Sequence, residues 1–230
     1  MEYRNELKFL VRDVDLELIR ERIRYIAHRD VHQGNPDGYL ITSLYFENVF
    51  DKCFREKEDG SDYRHKYRIR IYDRTHDVIK LERKSKVHNM AAKKSVSITE
   101  NECRYMMQGK LPAIESMFSE EKKRILCEMK QSAMRPKCIV EYRREAFVNQ
   151  VGNVRITFDK DISASSDIAG FLSPDFIAAP ILPARTHILE IKYDNLLPKY
   201  IYEALDIDSL FQTSFSKYAY ARLKLDGGEY

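Results

Sequence analysis

The stretch "KYRIRIYDRTHDVIKLERKSK", residues 66–86, puts a charge at nearly every second position of two otherwise apolar runs. Read with a period of two, it is a pair of strands. Tyr67, Ile69 and Ile71 point one way, and Arg68, Arg70 and Tyr72 the other. After a short polar turn the pattern returns, with Ile79, Leu81 and Arg83 on one side and Lys80, Glu82 and Lys84 on the other. Successive side chains of a strand alternate between the faces of its sheet. Such a face is either simply wetted by solvent or lines a site for something anionic, and the rest of the chain distinguishes the two.

The chain has 230 residues, enough for one large domain, and residues 1–230 read as a single unit. Basic residues (39) barely exceed acidic ones (36), giving a net charge of +3. That is far from the basic excess of a general nucleic-acid binder, so any anion site must be local and nucleic acid is not an expected partner. Cys53, Cys103, Cys127 and Cys138 stand far apart, without the paired spacing of a zinc site. Scattered cysteines fit a reducing compartment. The start "MEYRNELKFLVRD" carries no leader-like apolar run, and no segment has the length and apolarity of a membrane helix. The expectation is a cytoplasmic protein with no membrane segment of its own.

Outward from residues 66–86, the alternation recurs. "YRNELKFLV" sets Arg4, Glu6 and Lys8 against Tyr3, Leu7 and Phe9. "RPKCIVEYRREAFVN" and "NVRITFDKDIS" form a hairpin across "QVGN". There Val140, Tyr142, Arg144 and Ala146 share one face, and Arg155 sides with Thr157 and Asp159. In "THILEIKYDN", Glu190 and Lys192 share a face opposite Leu189, Ile191 and Tyr193. "YLITSLYFEN" and "KKSVSIT" are further strands, and "NPDG" is a turn.

Helical periodicity marks "DVDLELIRERIRYIAH", "VFDKCFREKEDG", "AIESMFSEEKKRILCEMKQSA", "LPKYIYEALDI" and "SFSKYAYARLKLD". Thr99 and Glu102 form a capping-box pattern ahead of another helix ending near Gly109. "SSDIAGFLSPDFIAAPILPA" reads as the most flexible loop. Antiparallel strands with interspersed helices and no βαβ regularity define an α+β fold. One charged strand face is ordinary, but six in one chain are not. If the sheet closes on itself, those faces line an antiparallel β-barrel tunnel surrounded by helices. A lining rich in arginine and lysine suits a polyanion. The few glutamates among them suit a divalent metal held against it.

In order along nearly the whole chain, "NELKFLV", "SLYFEN", "YRIRIYD", "LERKSK", "EYRREAF", "VRITFD", "LEIKYD" and "SKY" resemble the VTC domain, the catalytic domain of the vacuolar transporter chaperone polyphosphate polymerase. That family is a branch of the triphosphate tunnel metalloenzymes. The resemblance implies a triphosphate tunnel that binds ATP or another triphosphate with Mn2+ or Mg2+ and transfers the γ-phosphate to a growing polyphosphate chain.

Carried over position by position, it implies Lys8, Arg68, Arg70, Lys84, Arg144, Arg155 and Lys217 as phosphate-contacting catalytic bases and Glu190 as metal ligand. Arg4 and Lys93 are further phosphate-binding candidates, and Glu6 and Glu82 further metal candidates. Arg4 stands where the cyclase and triphosphatase branches carry the first Glu of Glu-x-Glu-x-Lys, which favours the VTC branch. Ser97 stands where the eukaryotic polymerase has a lysine, and Lys93 shares its strand face. Two alternatives stay open, a metal-dependent tripolyphosphatase or nucleoside triphosphatase on the same fold and a non-catalytic polyphosphate-binding module. A membrane-protein partner is compatible with each. Lys217 falls on a helix, Asp159, Lys192 and Asp194 are ambiguous, and the six histidines show no ligand spacing.

Overall fold

A computed structural model describes residues 4–31, 33–88 and 90–228. Tyr3 and His32 lie outside the described residues. The fold is an antiparallel, sheet-dominated α+β arrangement. Its strands are β1 (Asn5–Arg12), β2 (His28–Arg29), β3 (Tyr39–Glu47), β4 (Tyr63–Tyr72), β5 (Thr75–Val87), β6 (Met90–Ser97), β7 (Arg135–Asn149), β8 (Val154–Ser165), β9 (Ala179–Pro180), β10 (Thr186–Tyr193) and β11 (Phe211–Gln212). The helices are α1 (Asp13–Ile23), α2 (Lys52–Glu58), α3 (Glu100–Met107), α4 (Glu120–Gln131), α5 (Lys199–Ala204) and α6 (Lys217–Leu225).

The order across the sheet is β11-β1-β10-β8-β7-β3-β4-β5-β6, with β2 paired to β7 and β9 to β8. The two ends of this path come together. Arg4 and Ala91 exchange two backbone hydrogen bonds of 3.2 Å, an isolated bridge between the start of β1 and β6. The contact does not extend into a ladder, so the sheet is curled but not closed into the expected barrel. The free edge of β1 explains why. Its other end is taken by β11 opposite Phe9 and Leu10, and the Thr213 amide donates to the Lys8 carbonyl at 2.9 Å.

Register fixes the faces, because residues directly opposite in a ladder share a side. Around the curl the opposed sets run Glu6–Lys192–Arg155, Lys8–Glu190–Thr157, Arg144–Asp159, Ser43–Arg70–Lys80–Ser97, Tyr45–Arg68–Glu82–Ser95 and Lys66–Lys84–Lys93. All are members of one continuous inner face. Most of the alternate positions are apolar and face outward. Ile69, Leu81, Leu44 and Ile139 pack in a cluster with Met106 of α3 and Ile125, Leu126 and Met129 of α4. Phe9, Leu189, Ile191, Ile156 and Phe158 pack in a second with Leu16 and Ile19 of α1 and Ile201 of α5. Burying these outward faces at roughly 25 cal/mol per Å² is what curls the sheet around its charged side. Gly38, at φ +91° in the "NPDG" turn, lets β3 start hard against β7. A Cβ there would sit 2.3 Å from the Arg144 carbonyl oxygen.

Several local expectations change. The helix read from residue 113 starts only at Glu120, because the Ser119 hydroxyl caps it by accepting from the Lys122 amide. The helix read through His28 ends at Ile23, whose carbonyl accepts from both Ile26 and Ala27 before the chain enters β2. The proline-rich stretch after β8 is not a loose loop. It forms a 3-10 turn at Ile168–Leu172 and the short β9, and it buries Phe171, Leu172, Phe176 and Ile181. The Thr99–Glu102 capping box is present at α3. Cys53, Cys103 and Cys138 are buried free thiols, and burial pushes those of Cys103 and Cys138 up to about 12. Among the described residues no helix is long and apolar enough to cross a membrane.

Phe158 is fully buried in the second cluster, edge-on to Phe147 with ring centroids 5.9 Å apart. Phe158→Ala is expected to lower unfolding free energy by about 3–5 kcal/mol, read from urea denaturation curves. A loss under about 1 kcal/mol would show that the second cluster does not hold the sheet.

Candidate functional site

Two arginines two residues apart on β4 set the pattern of the inner face. Arg68 donates through Nε to Glu82 at 2.7 Å and through Nη1 to the Tyr45 hydroxyl at 3.1 Å. Arg70 meets mostly neutral groups. It donates to Ser43 Oγ at 3.2 Å and to the Tyr142 hydroxyl at 3.1 Å, with Glu82 farther off at 3.9 Å. Glu82 also receives Lys93 from β6 at 2.8 Å. Burial alone would raise the Glu82 carboxyl, but Arg68, Arg70 and Lys93 override it and hold the group ionised.

A second cluster lies where β1 meets β10. Lys8 Nζ sits 3.1 Å from Glu6 and 3.6 Å from Glu190, and Lys84 reaches across from β5 to Glu6 at 3.0 Å. Lys192 pairs with Glu190. The Glu6 and Glu190 carboxylates thus share Lys8 between them. Burial favours their neutral forms, yet Lys8 and Lys84 bring Glu6 down to about 2. Burial likewise opposes the charge on Glu190, and Lys192 and Lys8 carry its carboxyl well below the usual range. For Lys84, burial outweighs Glu6 and its amine falls below the ordinary lysine value.

The third cluster joins the hairpin to α6. Arg144 grips Asp159 with two hydrogen bonds of 2.6 and 2.7 Å. Lys217, the first residue of α6, pairs with the same carboxylate and stands 4.7 Å from the centroid of the Tyr142 ring. Burial raises the Asp159 carboxyl, but Arg144 and Lys217 bring it down to about 2. Glu190 lies 3.8 Å from Arg144 and so links the second and third clusters. The position of α6 is itself fixed. Tyr218 donates to the buried Glu47 at 2.7 Å and Arg222 to Asp51 at 2.8 Å. Lys8 also donates to the Phe215 carbonyl at 3.1 Å, just ahead of that helix.

Lys8, Arg68, Arg70, Lys84, Arg144 and Lys217 thus gather on one face with Glu6, Glu82, Glu190 and Lys93. Arg155 and Arg4 stand apart. Arg155 belongs to the inner face by register, but its guanidinium turns to Asp30 at 2.8 Å. Arg4 is engaged with Asp194 at 3.0 Å and the Asn153 carbonyl. Arg83, on the opposite parity, pairs outward with Glu128 of α4 at 3.0 Å. Ser97 accepts from Lys80 at 2.8 Å.

Sequence reading did not single out Lys66, Ser43, Tyr45 or Ser216. Lys66 shares the parity of Arg68 and Arg70, and Ser43 and Tyr45 alternate with Leu44 and Phe46, so the period-two signal was there. Ser216, whose hydroxyl accepts from Lys66 at 2.7 Å, had no signal beyond the "SKY" run. Among the described residues no three His, Cys, Asp or Glu side chains cluster as a complete metal site. The carboxylates of Glu6 and Glu190, both set against Lys8, are the pair that fits a hard divalent cation. Mg2+ is commonly held by one or two carboxylates plus substrate phosphates.

Comparison with known proteins agrees with this architecture. A family model, the VTC domain, matches residues 3–225. Among solved structures, a putative adenylate cyclase from Bacillus halodurans is similar with a TM-score of 0.53 at 16% identity, covering 94% of each chain. A putative adenylate cyclase from Vibrio parahaemolyticus is similar with a TM-score of 0.54 at 10% identity, covering 96% of this chain and 98% of that one. At such identities the likeness is one of fold. No curated protein sequence is significantly similar to the chain.

The depressed carboxyls predict acid sensitivity. Glu6 and Asp159 have ordinary values of 4.5 and 3.8 and titrate near 2 in the fold. Because the folded values are lower, the stability they lend is present above the ordinary values and lost as pH falls towards 2. With divalent metal chelated, melting temperature is expected to fall steeply between about pH 4.5 and about pH 2. Asp159→Asn should flatten that slope, and an unchanged slope would remove Asp159 from the network.

Proposed function

Because the chain belongs to the VTC domain family, we propose that its curled sheet forms a tunnel in which the γ-phosphate of ATP is transferred to a growing polyphosphate chain. The observation that carries this reading is the convergence of Lys8, Arg68, Arg70, Lys84, Arg144 and Lys217 from four strands and a helix on one buried face. Carboxylates are in the minority there. Phosphoryl transfer needs alignment and charge neutralisation rather than a covalent nucleophile, and fixed cations supply both.

The roles follow from the contacts. Arg70, held by hydroxyls, keeps donors available for phosphate oxygens in the bidentate geometry arginine allows. Arg68 is aimed by Glu82 and Tyr45. Lys8 and Lys84, bridged by Glu6, place mobile point charges across the curl from the arginines. Arg144 and Lys217 share Asp159 and cover the α6 side. Mn2+ or Mg2+ would be held by Glu190 and Glu6, and it supplies neutralisation of the charge on the triphosphate oxygens. A tunnel open at both ends would give a polymeric product somewhere to go, whereas a blind pocket would suit hydrolysis of a small triphosphate.

Incubation with ATP and Mn2+, resolved on a gel for polyphosphate, tests the reading. Chain growth is the expected result. Orthophosphate release without chains would make the protein a triphosphatase, and binding without turnover a polyphosphate-binding module. Arg70→Ala is expected to weaken tripolyphosphate binding by about 1–3 kcal/mol, with Arg70→Lys recovering only part, both by calorimetry. Wild-type affinity in Arg70→Ala would remove that residue from the site.

Glu190→Gln separates metal from anion binding. It is expected to keep polyphosphate affinity but lose metal-dependent turnover about 10²-fold or more. An unchanged response to manganese concentration would place the metal elsewhere.

A further inference from the structure

Lys66, on the inner face, stands outside the ion-pair network of its neighbours. Lys66 lies directly across the β4–β5 ladder from Lys84 and two residues before Arg68. Among the described residues no carboxylate lies within 4.0 Å of its amine, whereas its neighbour Lys84 has Glu6 at 3.0 Å. Lys66 Nζ instead donates to Ser216 Oγ at 2.7 Å and stands 5.4 Å from the centroid of the Tyr218 ring.

What faces Lys66 is mostly positive. Lys84 approaches from β5, Lys8 from β1 and Arg64 from its own strand. From α2 comes the Cys53 thiol, which burial keeps protonated. On α6, Lys217 is occupied by Asp159. The Glu47 carboxylate on β3 is consumed by the Tyr218 hydroxyl and by the amides of Cys53 and Phe54. Like charges directly opposite on a sheet repel, and among the described residues no carboxylate pairs with this one.

We propose that Lys66 is a proton-linked anion ligand: a free amine in the resting site that takes one proton from the medium when a phosphate group binds between it, Lys84 and the Ser216 hydroxyl. The step forms one N–H bond, breaks none in the ligand and turns a silent group into a cation only when an anion is there to face it. Burial, with Lys84, Lys8 and Arg64 adding to it, brings the Lys66 amine down to about 7, so the group is poised to change charge near neutrality. The proposal rests on the reading of the inner face as a phosphate site and deepens it. It makes anion capture at this corner sensitive to pH, where the arginines hold their charge throughout.

The test is calorimetry of tripolyphosphate binding near pH 8 in two buffers of different ionisation enthalpy, on the wild type and on Lys66→Arg. The wild type is expected to take up close to one proton more than Lys66→Arg, the difference removing any proton that the tripolyphosphate itself exchanges. Measured against pH, the ratio of wild-type to Lys66→Arg affinity should fall roughly tenfold per pH unit above 7, because the ligand's own titration cancels in the ratio. Competitive acetylation of the free wild type, read by peptide mass spectrometry, gives a second measure. Lys66 should become reactive near pH 7 and move upward with tripolyphosphate present. Proton exchange equal in the wild type and Lys66→Arg, or reactivity only near the ordinary lysine value of 10.5, overturns this proposal alone. Tripolyphosphate that binds at no pH overturns it together with the phosphate reading.

Discussion

So many bases can share one buried face only because each carboxylate there serves more than one of them. Glu82 faces Arg68, Arg70 and Lys93; Asp159 faces Arg144 and Lys217; Glu6 faces Lys8 and Lys84; Glu190 faces Lys8, Lys192 and Arg144. Taking charges out of water costs several kcal/mol per ion, and partners repay it only when the geometry is good. Deleting one shared carboxylate would leave two or three cations stranded together, a loss on the scale of 3–5 kcal/mol for a broken buried pair. The fold carries this strain because its stability comes from the other side of the sheet, where the two apolar clusters pack under α1, α3, α4 and α5.

The division of labour between faces has a functional consequence. The inner bases are held in place before any ligand arrives, yet their partners are carboxylates that compete with phosphate for the same donors. Binding at Arg68 or Arg144 therefore exchanges one anion for another. Arg70, hydrogen-bonded to Ser43 and Tyr142 with Glu82 only at 3.9 Å, and Lys66, resting on Ser216, have the least carboxylate contact to give up. In the proposed tunnel these two are where an incoming phosphate group gains most, and they stand on one strand, four residues apart.

The period of two made most of this legible from sequence. Parity alone assigned Arg68, Arg70, Glu82, Lys84, Arg144, Asp159 and Glu190 to a common face, and the pairing register agrees. Parity fixes a face but not the direction of a long side chain. Arg155 has the right parity, and its guanidinium nevertheless turns to Asp30, a loop residue far away in sequence. Closure was likewise beyond the pattern. Whether β1 zips to β6 depends on what else claims its edge, and the two-residue β11 that does so has no periodicity to read. Lys66 was within reach by parity, but its lack of an acidic partner among the described residues is a property of three dimensions alone. The α4 start shows a different limit, since the capping Ser119 lies inside an apolar pattern that extends further back.

The central claim, that the inner face is where a polyanion binds, is tested most directly by a crystal structure of the protein with tripolyphosphate and Mn2+. The account predicts a phosphate chain along the inner face, in contact with Arg70 and Lys8 and with metal density at Glu190. Tripolyphosphate seated instead in the basic surface hollow lined by Arg20, Arg24, His28 and Arg29, with the inner ion pairs undisturbed, would contradict it.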